Sequence, residues 1–189
     1  MYLVPKTLSP IPANEKHIVQ GRDTIKLYFG DRRKSVPEDW SICDCNPATG
    51  CHTEVDVRDL DMFEESVVSA IQVEYIIAHI RPIEIIAVMK EWYRVLKPDG
   101  WIEIEEVDYY EACNQFMKAD NIGRYDTIWP LNWALCGGEH GANDFHAWAP
   151  TISRTIEYLE HVGFSVENRL AEVRRPWWPS FRIRVYKRE

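Results

Sequence analysis

The stretch CGGEHGANDFHAW, Cys136 to Trp148, sets two imidazoles, His140 and His146, in a glycine-rich segment able to close over a pocket. Imidazole titrates near neutrality, so His146 is the preferred general base; the bland alternative is a ring that only ties down its loop. Asp108, directly after an alternating apolar and polar run, is the second catalytic candidate. Glu139, His140, Asp144 and His146 could together hold a metal, but no helical or strand register fixes their spacing. Cys43, Cys45, Cys51 and His52 are a second set with ligand chemistry. An alternating cysteine pair on a strand lacks the C-x-x-C turn that structural zinc uses, so free buried thiols are expected there and no metal is assigned.

The elements that must position these groups are bounded by composition. A chain of 189 residues with 46% apolar residues suits one domain, 1–189, with an irregular lead-in over 1–20. Its net charge of −8 opposes non-specific binding to nucleic acid or to anionic membranes, which reward a basic face. A local basic patch around Arg174, Arg175, Arg182 and Arg184 is the exception. The start MYLVPKTLSPIPANEK has neither a basic beginning nor an apolar core, and no apolar run is long enough to span a bilayer; a cytoplasmic protein is expected. Five cysteines cannot all pair within one chain, which also favours a reducing compartment.

Periodicity gives about seven strand-like segments: Ile25–Phe29, Ser41–Cys43, Thr53–Val57, Val67–Val73, Trp101–Val107, Phe164–Leu170 and Phe181–Lys187. Helical spacing covers Glu74–Ile80, Ile83–Lys97, more weakly Tyr109–Ala119, and Thr151–Val162 with Gly163 as its C-terminal cap. In EWYRVLKPDGWIEIEE an amphipathic helix meets a Pro-Asp-Gly stop and gives way at once to a strand, which is half of a β-α-β crossover. The order suits an α/β sheet whose last two strands pair antiparallel.

The runs HTEVDVRDL, ESVVSAIQVEYIIAHI and EIIAVMKEWYRVLKPDGWIEIEEVD resemble the middle of the class I S-adenosylmethionine-dependent methyltransferases, in particular the methyltransferase type 11 group. EWYRVLKPDGW is the specific element; CGGEHGANDFHAW and LEHVGF are similar to later parts of such proteins. The resemblance implies a Rossmann-like α/β sheet, mostly parallel, and S-adenosylmethionine as cofactor. It implies cofactor contacts at Gly30, Asp31, Asp44, Asp56, Val57 and Gln72, with Asp44 facing the ribose hydroxyls and Asp56 and Val57 beside the adenine. An Asx turn ahead of Asn46-Pro47 is the competing role for Asp44. Where such enzymes carry a loop with several glycines after the first strand, LYFGDRRKSVPEDWSICDCNP keeps only Gly30. The implied activity is methyl transfer to a small-molecule or glycan-like acceptor; the alternative is a degenerate fold kept as a non-catalytic binding or assembly module.

Strand alternation adds an expectation independent of the resemblance. Ile102 and Ile104 alternate with Glu103 and Glu105, Val55 and Val57 with Glu54 and Asp56, and Ile183 and Val185 with Arg182 and Arg184. One sheet face should therefore be polar with reduced helical cover, its Glu and Arg residues opposite one another. We expect Glu54, Glu103 and Glu105 to be solvated, a homodimer through this face being the competing arrangement. Trp129, Trp133, Trp148, Trp177 and Trp178 concentrate where, by the resemblance, such enzymes vary their substrate-binding elements, although core packing accounts for most of them.

Overall fold

The computed structural model describes residues 24–30, 36–45, 51, 53–121, 132–137, 145–170 and 179–188. Asp31, Glu139, His140, Asp144, His52, Trp129, Trp177, Trp178, Arg174, Arg175 and the lead-in 1–20 lie outside the described residues. In chain order the described elements are β1 (Ile25–Phe29), β2 (Ser41–Asp44), β3 (Thr53–Glu54), β4 (Val68–Glu74), α1 (Ile85–Val95), β5 (Leu96–Val107), α2 (Tyr109–Asn121), α3 (Ile152–Val162), β6 (Phe164–Leu170) and β7 (Ser180–Lys187). Among the described residues no helix is long and apolar enough to cross a membrane.

The strands form one sheet in the order β3-β2-β1-β4-β5-β7-β6. Strands β1 to β5 run parallel, and β7 lies antiparallel between β5 and β6. Strand order reverses between β1 and β4, so the crevice beyond their carboxyl ends is where an open α/β sheet binds ligands.

Helix α1 forms because Ile85, Val88, Met89, Trp92 and Val95 recur at helical spacing and all five are buried. The Trp92 indole donates to the carbonyl of Val57 at 2.9 Å, so the helix also fixes the chain after β3. Arg94 does the same two residues later, donating to the carbonyls of Leu60 and Phe63. Helix α3 starts at Thr151, whose side chain accepts from Arg154 N, and ends at Gly163 with φ 114°, a left-handed conformation that glycine adopts without a Cβ clash. Both helices pack on one face, over Leu27, Phe29, Ile71, Val73, Ile102, Ile104, Ile183 and Val185.

Several sequence-based boundaries shift, and β3, expected over Thr53–Val57, contracts to Thr53–Glu54. Strand β5 starts at Leu96, not Trp101: Pro98-Asp99-Gly100 bulges inside the strand, since Val68 pairs with Leu96 and Ala70 with Trp101. Asp99 takes φ 59°, which a short polar side chain tolerates. The helix expected over Glu74–Ile80 contracts to a 3-10 turn at Ile77–His79, because Glu74 still belongs to β4 and the Tyr75 amide continues the ladder to Glu105 O at 2.8 Å.

The opposite sheet face is polar, as alternation requires, and no described helix covers it. Glu103 stands opposite Arg184 and Glu105 opposite Arg182 on β7. The expectation of solvated carboxylates is corrected here, because Glu103 is 7% and Glu105 3% exposed, while Glu54 is exposed. Arg182 bonds Glu105 at 2.5 Å and Arg184 bonds Glu103 at 2.7 Å, with the Arg184 guanidinium stacked 4.2 Å over Trp101. Tyr28 and Gln72 both donate to Glu74, and Tyr75 donates to Glu105. Tyr28, Trp40 and Ala70 are buried on the same side. Period-two alternation reports the chemistry of a face but not its accessibility, and here the long arginines and aromatic rings lie across the carboxylates.

Candidate active site

At the carboxyl edge of the sheet, Phe29 pairs with Cys43, Cys43 with Thr53 and Asp44 with Glu54, so Gly30, Asp44 and Glu54 come in turn at the ends of three adjacent parallel strands. Gly30 has φ 153°, and a Cβ there would stand 2.8 Å from the Cβ of Glu74 and 3.1 Å from its carbonyl oxygen. Glycine is thus required because β1 and β4 close on each other at the switch point. Asp44 is partly exposed, and its carbonyl accepts from Val55 N at 3.1 Å.

Beyond β3, Asp56 is held by Arg58, whose Nη2 lies 2.6 Å from Oδ2; hydrogen bonds from that guanidinium keep the carboxyl below its ordinary range. Val57 is 9% exposed and belongs to the core, its carbonyl taken by Trp92. Asp56 and Arg58 line an open groove of about 530 Å³ with Asp59, Asp61, Glu84 and Glu91. That size suits a small ligand, but a wall of carboxylates with one guanidinium offers little apolar surface to a planar base. Gln72 lies on the polar face, bonded to Glu74 at 2.8 Å.

Beyond β4 and β5 a second group of side chains converges. Glu106 is fully buried at the end of β5, where Oε1 accepts from Val107 N at 2.8 Å and Oε2 from Ala78 N at 3.1 Å. Burial pushes its carboxyl up to about 7, against the lowering effect of those backbone donors. The 3-10 turn that supplies Ala78 is tied to the segment around His146, since Trp148 Nε1 donates to Ile77 O at 2.6 Å and Ala147 N to Ala78 O at 2.7 Å. His146 N donates to Cys136 O at 3.2 Å, and Gly137 bridges Phe145, so the segment lies against the end of a short helical stretch at 132–136.

The His146 Nδ1 is hydrogen-bonded to the hydroxyl of Tyr109, the first residue of α2. His79 packs edge-on against the His146 ring at 4.9 Å between centroids, its own Nδ1 bonded to Phe145 O at 3.1 Å. Asp108 does not join this group: Oδ1 accepts from Tyr110 N and Glu111 N at 3.1 and 3.3 Å, capping α2. Glu106, Tyr109 and His79 were not singled out by sequence. For Glu106 one signal was available, since it shares the parity of Ile102 and Ile104, and an acid on the apolar side of a strand needs buried partners.

Among the described residues no group of three His, Cys, Asp or Glu side chains is arranged to hold a metal. Cys43 and Cys51 are free and buried, whereas Cys45, Cys113 and Cys136 are free and exposed. Burial first, then the neighbouring Cys51 sulfur, pushes the Cys43 thiol up to about 12, which keeps it protonated and unreactive.

No protein-family model matches the chain. No curated protein matches it either. Solved structures do. A SAM-dependent methyltransferase from Methanosarcina mazei superposes with TM-score 0.58 at 17% identity, over 88% of this chain and 94% of that one. One from Archaeoglobus fulgidus gives 0.56 at 12% identity, over 87% and 86%. The Burkholderia thailandensis 1,6-didemethyltoxoflavin-N1-methyltransferase, solved with that compound and S-adenosylhomocysteine, gives 0.56 at 14% identity, over 92% and 75%. The fold is that of the class I SAM-dependent methyltransferases. Among the described residues the sheet has seven strands, and helical cover is reduced on one face.

Proposed function

We propose that the protein binds S-adenosylmethionine at the carboxyl edge of β1 to β3 and methylates a small-molecule acceptor held beyond β4 and β5. The observation that carries this reading is the edge register, which brings Gly30 and Asp44 to the carboxyl ends of the neighbouring strands β1 and β2, next to the switch point. The donor chemistry fits at Asp44, because one carboxylate can accept from both ribose hydroxyls. In this reading Asp44 is the principal polar anchor, while Asp56 is ion-paired with Arg58 and the Val57 carbonyl is taken by Trp92. The similar structures support the same reading, two being called SAM-dependent methyltransferases and one holding S-adenosylhomocysteine.

When bound, the cofactor supplies an electrophilic methyl group on a sulfonium sulfur. The chain's own part is alignment and proton removal. His146, held by Tyr109 and flanked by His79, takes the proton that the acceptor loses as its oxygen or nitrogen gains the methyl. Glu106 fixes the 3-10 turn that braces the His146 segment and does not face the reaction itself.

Isothermal titration with S-adenosylmethionine and S-adenosylhomocysteine tests the reading directly. Binding heat is expected; its absence at protein concentrations of roughly 100 µM, well above useful cofactor dissociation constants, removes the proposal.

A further inference from the structure

We infer that Glu106 is a proton-dependent latch: with its proton the 3-10 turn after β4 and the segment 145–148 stay closed over the end of β5, and without it they open to water. The part this gives Glu106, holding one wall of the acceptor site, rests on the methyl-transfer reading. The latch itself needs neither cofactor nor acceptor.

The geometry is that of a buried acid with no cation beside it. Glu106 is 0% exposed, and its hydrogen bonds come from backbone amides, Val107 N at 2.8 Å and Ala78 N at 3.1 Å. Ala78 and Val107 belong to a buried cluster with Tyr109, Ala112 and Ala134, and Phe181 stands opposite Glu106 on β7. Neutral amides only partly offset the cost of keeping a charge away from water, so an ionised Glu106 favours any arrangement that hydrates it. The two amides differ in how firmly they are held. Val107 is paired with Ser180 within the sheet, whereas Ala78 sits in a single 3-10 turn of three residues. Opening that turn is the least costly way to bring water to the carboxylate.

The turn does not open alone. Ala147 N donates to Ala78 O at 2.7 Å, Trp148 Nε1 to Ile77 O at 2.6 Å, and His79 Nδ1 is bonded to Phe145 O at 3.1 Å. These three bonds make the turn and the segment one piece. The sign follows from linkage. The closed form takes up the proton at about 7 and a hydrated carboxyl at its ordinary 4.5, so rising pH favours opening between those values and no further above them.

The other titratable groups around the latch do not reverse that sign. Glu105, next on β5, adds a like charge to the effect of burial. Burial above all keeps the Tyr75 and Tyr109 hydroxyls raised and neutral, with the charge of Glu106 contributing to both. His79 and His146 ride on the moving piece, and a pH response that came from either would survive the loss of the Glu106 carboxyl.

Amide hydrogen exchange followed by NMR on the full chain, without cofactor or acceptor, tests the latch. Protection of Ala78 and Ala147 is expected to fall about tenfold per pH unit from about 4.5 to 7 and then level off, while the central strand β4 stays better protected. Glu106→Gln, which cannot ionise, should show no such slope. A flat wild-type profile, a slope that persists in Glu106→Gln, or protection of Ala78 and Ala147 equal to that of β4 at every pH overturns the inference. Should the variant fail to fold, the carboxyl carbon of Glu106 decides in the wild type. A midpoint near 7, where protection levels off, upholds the latch, and a midpoint in the ordinary range overturns it. Cofactor titration decides the methyl-transfer reading separately, so failure of either is distinguishable.

Discussion

Glu106, at the end of β5, accepts a hydrogen bond from the backbone amide of Ala78 at 3.1 Å, joining the sheet edge to the 3-10 turn that follows β4. The carboxyl lies near 7 in the folded protein against an ordinary value of 4.5, mainly because it is buried. The folded state therefore binds more protons than the unfolded chain between these values, and stability falls as pH rises through that window. The loss is at most about 1.4 kcal/mol per pH unit, roughly 3 kcal/mol in all. Urea unfolding of the wild type and Glu106→Gln at intervals between those two values should show this slope in the wild type alone. Parallel curves would mean that Glu106 titrates normally.

Glu105 is the most enclosed carboxylate of the polar face that is ion-paired to β7, bonded to Arg182 at 2.5 Å and to the Tyr75 hydroxyl at 2.9 Å. Among the described residues, Glu105→Leu leaves Arg182 with the 3.5 Å approach to Glu103 as its carboxylate contact. Removing one partner of a buried pair should destabilise the protein by about 3 to 5 kcal/mol in chemical unfolding. A loss within about 0.5 kcal/mol, as at surface sites, would return this face to solvent.

Asp44 and Asp108 should separate cleanly when each is replaced by alanine. Asp44→Ala is expected to weaken S-adenosylhomocysteine binding by about 1 to 3 kcal/mol, through loss of charge-assisted hydrogen bonds. Asp108→Ala removes the α2 cap, which should lower stability by about 1 kcal/mol and leave cofactor affinity alone. Calorimetric titration and thermal unfolding of both variants read out the two effects.

Gly30 permits the approach of β1 to β4. In Gly30→Ala the new Cβ would meet the Cβ of Glu74 at 2.8 Å with the backbone at φ 153°. A decrease in stability of the order of 1 to 3 kcal/mol is expected, seen as a lower Tm. An unchanged Tm would mean that the two strand ends can separate freely.

Much of the fold was legible from residue order because its signals are local. Phe164–Leu170 is recovered to the residue, and Gly163 caps α3 as its position after an amphipathic run indicates. The pairing of Glu103 with Arg184 and Glu105 with Arg182 was foreseeable in kind, since alternating charges on adjacent antiparallel strands must face one another. What alternation could not supply was depth. Whether Glu105 meets water or an arginine and a tyrosine depends on side chains from β4 and β7, far apart in sequence.

The candidate site divides the same way. His146 was marked by its residue type and its glycine-rich surroundings, and Asp44, at the end of a strand, by the resemblance to class I methyltransferases. Its partners were not, because Tyr109 stands 37 positions from His146 and Glu106 stands 28 from Ala78. Sequence by itself determined which segments become strands and helices, since periodicity and caps act within a few residues. Only the tertiary structure decided which polar groups meet: a hydrogen bond needs atoms within about 3 Å, and that proximity is set by strand order and register.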